Sequence, residues 1–308
     1  MQVARALTGI VPVVHTPLNK DESIDVAALR RIVDFLADKK VGGMWALGTG
    51  GEDMNLTFKK RLLVARTITE ANRGRLPLVV GAGFFALEDI LDFMHEIRDL
   101  EFDAYHVMPY HPLLGLDRME WFYKRIADKA SKPVWMYTSA NWCRKFTPEF
   151  VAKLKPHPNI AGIKFSSSNA PDQLQVLALQ EQGFQVITAV ASQFYAALCM
   201  GAPGATTSVA TGLPEPLQEI LAHHKAGRAD QALAAQRTLT AFLKEMPKRT
   251  KEHNFLTGAE EKFILSLRGL CSPQMTSYYS PLDAAEQQQV KAALEKYGYA
   301  KYVVRVDA

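Results

Sequence analysis

Short apolar runs separated by amphipathic stretches recur roughly every 25 to 30 residues along most of this chain, and that alternation restricts its fold more than any other feature. The runs predict strands over Ile10–Val14, Met44–Leu47, Leu78–Val80, Ala104–Met108, Val134–Tyr137, Ile160–Phe165, Gln185–Ala189 and Thr206–Val209. Between them lie helical patterns. Leu29, Ile32, Val33, Leu36 and Ala37 keep the i, i+3, i+4 spacing of a helix with one buried face. Thr147-Pro148-Glu149 supplies an N-cap, a first-turn proline and a first-turn acid. Eight strand–helix units are what a closed parallel barrel requires, so the expected class is α/β, a (β/α)8 TIM barrel. After the eighth run the pattern reads as wholly helical from about Glu215 to Tyr297, with Asp283-Ala284-Ala285-Glu286 as a capping box. The expected division is a barrel over residues 1–214 and C-terminal helices over 215–308 that complete and extend it.

Composition excludes several classes of function. The chain has 308 residues, 48% hydrophobic and 22% charged, with a net charge of +4 from 36 basic and 32 acidic residues that are interspersed. The densest basic cluster, Lys248-Arg249-Thr250-Lys251, reads as a solvated turn, and no basic stripe with interleaved aromatics suggests nucleic-acid binding. Cys143, Cys199 and Cys271 are too widely spaced for a disulfide framework or a CxxC metal site, which suits reduced thiols and a cytoplasmic location. The first residues, Met1 to Leu7, lack the apolar core of a signal peptide. No charge occurs between Glu181 and Glu215, but Gln185, Ser192, Gln193 and Pro203 interrupt that stretch, so it reads as barrel interior and no membrane span is expected.

Reacting groups of a parallel barrel gather at the C-terminal ends of its strands. At the sixth, Asn159-Ile160-Ala161-Gly162-Ile163-Lys164-Phe165 closes an apolar strand with a lysine. Burial favours the neutral amine, the nucleophile that condenses with a ketone to an imine; the strand alone equally admits a lysine snorkelling to solvent. The fifth ends Pro133-Val134-Trp135-Met136-Tyr137, where the phenol can relay protons or simply fill the core. The second runs into Gly48-Thr49-Gly50-Gly51-Glu52, a loop whose amides can approach a carboxylate, or a glycine-rich turn with no ligand. A rival reading is Gly81-Ala82-Gly83-Phe84-Phe85-Ala86 with Glu101, similar to a dinucleotide fingerprint; its position in the third unit and its bulky second half weaken it. His223-His224 and His95-Glu96 do not form HExxH, so no metal site is expected.

Together these residues resemble the dihydrodipicolinate synthase / N-acetylneuraminate lyase family of class I pyruvate-dependent aldolases, from Gly9-Ile10-Val11-Pro12 to the helix ending near Tyr297. Gly48 to Glu52 is similar to the family's G-[ST]-[TG]-G-E loop, Tyr137 to its tyrosine on strand five, Gly162-Ile163-Lys164 to its Schiff-base strand, and Leu87 to Asp103 to the helix after its G-[AT]-G segment. The resemblance implies pyruvate or a related 2-oxo acid held by the amides of Thr49 and Gly50, with Gly48 and Gly51 of the same loop also expected to bind substrate. It further implies an imine on Lys164, proton transfer by Tyr137 hydrogen-bonded to Thr49, a contact from Thr206, and no metal or organic cofactor. Implied partners are small 2-oxo acids and aldehydes, and further copies of the chain in a homo-oligomer, a dimer or a homotetramer.

Departures from the family pattern bear on the second substrate. The loop after Tyr137 reads Thr138-Ser139-Ala140-Asn141-Trp142-Cys143-Arg144, with Trp142 where dihydrodipicolinate-forming synthases have an arginine and Arg144 two residues later. His111 falls where many relatives lend a tyrosine across a subunit contact, and Gly50 replaces the synthase loop's second threonine. These changes argue against aspartate semialdehyde as the partner aldehyde. Two alternatives stand beside the lyase: an imine-forming dehydratase or hydratase-aldolase on the same scaffold, and a noncatalytic 2-oxo-acid binder, which would not need the nucleophile.

Overall fold

A computed structural model describes residues 4–111, 113–139, 143–247 and 258–303. Its eight strands are β1 Gly9–Pro12, β2 Met44–Ala46, β3 Leu78–Gly81, β4 Ala104–Val107, β5 Val134–Ser139, β6 Ile160–Ser166, β7 Gln185–Thr188 and β8 Gly204–Thr207. All pair in parallel, β1 with β8 and each of the others with its chain neighbour from β2 to β8. Closure between β1 and β2 comes just beyond the regular ladder, where Val13 bridges Trp45 and the Val14 amide donates to the Trp45 carbonyl at 2.9 Å. The fold is the expected (β/α)8 barrel with C-terminal helices.

Both faces of each strand are buried, and the two-residue period sorts them. Met44, Ala46, Val80, Val134, Met136, Ile163, Phe165 and Val186 join the core between sheet and helices. Val11, Val13, Trp45, Val79, Trp135, Tyr137 and Ile187 form a separate interior cluster. Lys164, between Ile163 and Phe165, therefore faces the barrel interior with Tyr137. The β5–β6 register shifts after Val134, which pairs with Ile160 while Trp135 pairs with Gly162, and this places Tyr137 directly beside Lys164. Gly162 is required there: a Cβ would fall 2.3 Å from the Gln185 carbonyl oxygen and press on Trp135.

The surrounding helices are α1 Val26–Asp38, α2 Phe58–Asn72, α3 Leu87–Glu96, α4 Leu116–Lys129, α5 Pro148–Leu154, α6 Ala170–Leu177, α7 Phe194–Cys199 and α8 Val209–Gly212. After them come α9 Glu215–Lys225, α10 Ala229–Lys244, α11 Ala259–Leu267 and α12 Ala284–Lys296. The expected caps form: Thr147 accepts from the Phe150 amide, and Asp283 and Glu286 make the reciprocal box at the start of α12. Leu217, Ile220, Leu239, Phe242 and Phe263 pack with Ile10 and Ala205, so the C-terminal helices lean on β1 and β8.

Two expectations are corrected. The eighth strand was expected over Thr206–Val209 but spans Gly204–Thr207, and Val209 opens α8. The β-branched residues drew the boundary forward, whereas the ladder starts at Gly204, where a Cβ would lie 2.3 Å from the Gly9 carbonyl oxygen. Nor is the chain wholly helical from Glu215 to Tyr297. Gly269, at φ +74°, ends α11 in the left-handed region, and an irregular segment with Pro273 and Pro281 runs to the Asp283 cap.

Candidate active site

A cavity of about 330 Å3 opens at the C-terminal ends of the strands. Thr49, Gly50, Tyr137, Ser139, Lys164 and Thr206 line its barrel side, and Met246, Glu260, Glu261 and Ile264 its helical side. Lys164 is buried, 4% exposed, with its Nζ 4.2 Å from the centroid of the Tyr137 ring and 5.2 Å from that of Trp45. Burial brings its ammonium down from 10.5 to about 7, against the opposing pull of the Asp53 carboxylate. Near neutral pH much of the side chain is therefore a free amine.

Tyr137 Oη lies 3.1 Å from Thr49 Oγ1. Burial pushes the phenol well up, while the Thr49 hydrogen bond pulls it down, so it stays protonated. Thr49–Gly51 forms a single tight turn at the end of β2, in which the Gly51 amide donates to Gly48 and the Glu52 amide to Thr49. Thr49 and Gly50 both line the cavity. Gly48 and Gly51 are not part of the cavity wall. They permit close packing, since a Cβ would meet Trp45 at 3.0 Å from Gly48 and the Val14 carbonyl oxygen at 2.8 Å from Gly51.

Behind the loop, Glu52 takes a left-handed conformation, φ +58°, that favours glycine. It is held there because its Oε2 accepts from Thr276 N at 2.9 Å and Thr276 Oγ1 at 2.8 Å, while its Oε1 pairs with the fully buried Lys262. The next residue, Asp53, accepts from Tyr110 Oη at 2.8 and 3.1 Å and lies 3.9 Å from Arg61. Burial raises the Asp53 carboxyl, and Arg61, Tyr110 and Lys164 oppose that rise. Neither Asp53 nor the Lys262 anchor stood out in the sequence. An acid directly after a glycine loop was the available signal for Asp53; the partner of Glu52 comes from 210 residues further on, with no local cue.

Other expected site residues divide. Thr206 is fully buried, lines the cavity, and its Oγ1 has no hydrogen-bond partner among the described residues. His111 stands outside the cavity wall, its ring stacked on Phe85 at 4.9 Å. Arg144 is also outside it; the side chain is exposed and its Nε donates to the Leu114 carbonyl at 3.1 Å. Trp142 lies outside the described residues, as does the basic cluster at 248–251. In the rival glycine run, the Gly83 carbonyl accepts from Arg61, whose guanidinium sits 4.0 Å above the Phe84 ring, so that segment packs protein against protein. Among the described residues no group of three or more His, Cys, Asp or Glu side chains could hold a metal ion, and no helix is long and apolar enough to cross a membrane.

Residues 6–297 match the model of the Dihydrodipicolinate synthetase family. The chain belongs to that family. It is accordingly an enzyme, a lyase of the aldolase type. It is 25% identical to the 4-hydroxy-tetrahydrodipicolinate synthase of Methanosphaerula palustris, over 94% of this chain and 99% of that one. Among solved structures it superposes on YagE, a prophage protein of the dihydrodipicolinic acid synthase family from E. coli K12 in complex with pyruvate. The TM-score is 0.87 at 22% identity, covering 96% of this chain and 100% of that one. Proteus mirabilis N-acetylneuraminate lyase matches with a TM-score of 0.86, also at 22% identity, with the same coverage.

Proposed function

We propose that the chain condenses pyruvate, or a related 2-oxo acid, with an aldehyde through an imine on Lys164, or runs that reaction in the direction of cleavage. The observation that carries this reading is the pairing of Tyr137 with Lys164 in adjacent strands, with Thr49 hydrogen-bonded to the phenol and a cavity above all three.

The lone pair of the neutral Lys164 amine attacks the ketone carbon, and Tyr137 gives a proton to the developing alkoxide. The carbinolamine loses water and becomes a protonated imine. That cation takes up the electron pair left when the Tyr137 phenolate removes a C3 proton, and the resulting enamine attacks the aldehyde carbon. Tyr137 protonates the aldehyde oxygen, and water hydrolyses the imine, its surplus proton returning to the Tyr137 phenolate, to free the product and the neutral amine. The Thr49 and Gly50 amides, with the Thr206 hydroxyl, hold the carboxylate. All the chemistry runs through the covalent imine, so this sequence calls for no cofactor.

The partner aldehyde under this reading is not aspartate semialdehyde, because the Arg144 guanidinium is engaged with Leu114 outside the cavity. An imine-forming dehydratase would share every step to the enamine, and product analysis separates the two. Phe85 and Leu113, 69% and 84% exposed beside His111, support a homo-oligomer, to be read by sedimentation. The deciding experiment is incubation with pyruvate and borohydride followed by peptide mass mapping. The expected result is a reduced adduct on Lys164. Modification elsewhere, or none with any 2-oxo acid, refutes the mechanism.

A further inference from the structure

Trp45 is a costly residue to enclose in the barrel interior. It is fully buried, yet its indole Nε1 has no hydrogen-bond partner among the described residues, and a buried donor left unpaired costs stability. Its surroundings are nevertheless built around the ring. His106, from β4, stacks on it with centroids 4.2 Å apart and planes 18° apart, and Trp135 and Tyr137 meet it almost at right angles, each at 5.9 Å. Glycine makes the room at two places. A Cβ on Gly81 would lie 2.7 Å from His106 Cε1 and Nε2, and one on Gly48 would lie 3.0 Å from Trp45 Cδ1. Lys164 Nζ lies over the indole, 5.2 Å from its centroid, within the range at which a ring face attracts a cation. Tyr137 is nearer, at 4.2 Å, but its phenol gives and takes protons during the reaction, which an indole does not. A phenyl ring would fill this space without a buried N–H; what the indole adds is the aromatic face that attracts cations best.

We propose that Trp45 stabilises the protonated imine on Lys164 through the face of its indole. The inference rests on the imine-forming function and names a further residue that serves it. The charge arises when the carbinolamine nitrogen turns its lone pair into the C=N bond and the hydroxyl leaves as water with a proton from Tyr137. A cation so enclosed needs compensation, and a ring face supplies it without adding a titrating group. The stack suits that purpose. His106 Nε2–H donates to the Ala46 carbonyl at 2.9 Å, and burial brings the imidazolium down from 6.5 to about 3, so the ring lying on the indole is neutral and does not compete as a cation. The other groups around the nitrogen are Asp53 after β2, which Tyr110 and Arg61 hold, Tyr137 on β5, and Glu260 and Glu261 of α11 in the wall of the same cavity. Substituting Trp45 leaves every one of these side chains present, so it isolates the ring.

The test reads two equilibria at one nitrogen in the wild type, Trp45→Phe and Trp45→Leu. Borohydride trapping across a pyruvate series at pH 8, where the amine is largely neutral, gives the concentration for half-maximal adduct. Trapping at early times against pH gives the midpoint of the amine. The half-maximal concentration should rise about three- to thirtyfold in Trp45→Leu, the span between an exposed and a desolvated cation–π contact, and less in Trp45→Phe. The pH midpoint should fall by the logarithm of the same factor, because both readings compare a cation with a neutral nitrogen beside the same ring. Lost packing alone gives no reason for the two to move together. Labelling with trifluorotryptophan weakens the ring face while keeping its shape, and it decides the matter if Trp45→Leu does not fold. It should raise the half-maximal concentration more in the wild type than in Trp45→Phe, where only the remaining tryptophans carry the label. An unchanged half-maximal concentration in Trp45→Leu, a rise with an unmoved pH midpoint, or an equal effect of labelling in both proteins overturns this assignment alone, while the adduct still maps to Lys164. Failure to trap an imine on Lys164 in the wild type overturns the functional reading and this inference with it.

Discussion

The free amine at Lys164 should leave a measurable mark on the pH dependence of imine formation. Moving the side chain from 10.5 to about 7 raises its neutral fraction at pH 7 from roughly 1 in 3,000 to about one half, a gain of about 10³ in nucleophile before any proton relay acts. The sign follows from the cause: burial disfavours the ammonium, so the reactive form accumulates as pH rises through about 7 and is nearly complete well below the range where an exposed lysine titrates. Pyruvate adducts trapped with cyanoborohydride at early times, counted by intact-protein mass spectrometry from pH 5.5 to 9.5, should rise to a plateau with a midpoint near 7. Asp53→Asn removes the charge that raises Lys164, so its midpoint should move to lower pH. A rate still climbing at pH 9.5 in the wild type refutes the argument that burial creates the nucleophile. A midpoint that shifts upward in Asp53→Asn refutes the role given to Asp53.

Tyr137→Phe removes one hydroxyl and keeps the ring against Trp45, so kcat should fall by about 10²–10⁴ with the thermal midpoint little changed; near-normal turnover would remove the phenol from the mechanism. Arg144→Ala should be nearly silent in kcat/KM for any accepted aldehyde, because the guanidinium is spent on Leu114; a loss of tenfold or more would show that it swings into the cavity. Lys262→Met strands the buried Glu52 carboxylate and should lower stability by about 3–5 kcal/mol in urea unfolding, with Glu52→Gln/Lys262→Met recovering part of it; an unchanged midpoint would mean that Thr276 alone holds the loop.

What could be read from the chain alone is what local pattern controls. Apolar runs bounded by helical stretches led to eight strands and the barrel, because both faces of a parallel barrel strand are buried and such a strand must be apolar nearly throughout. For the same reason a lysine ending the sixth run was conspicuous, and the caps at Thr147 and Asp283 were legible because a cap acts within three residues. Strand ends were less legible where the deciding contact is non-local, as at Gly204, whose fit depends on Gly9 almost two hundred residues away. Only the tertiary structure decided that Tyr137 stands beside Lys164, since this depends on a register shift after Val134 that no spacing within either strand encodes. Only it placed Glu260 and Glu261 in the cavity wall. In the sequence they are two acids at the start of a helix, where acids are common for the helix's own sake. The start of α11, held by Lys262 on Glu52 and by Gly258 against Gly50, brings them into the wall of the cavity that Lys164 also lines.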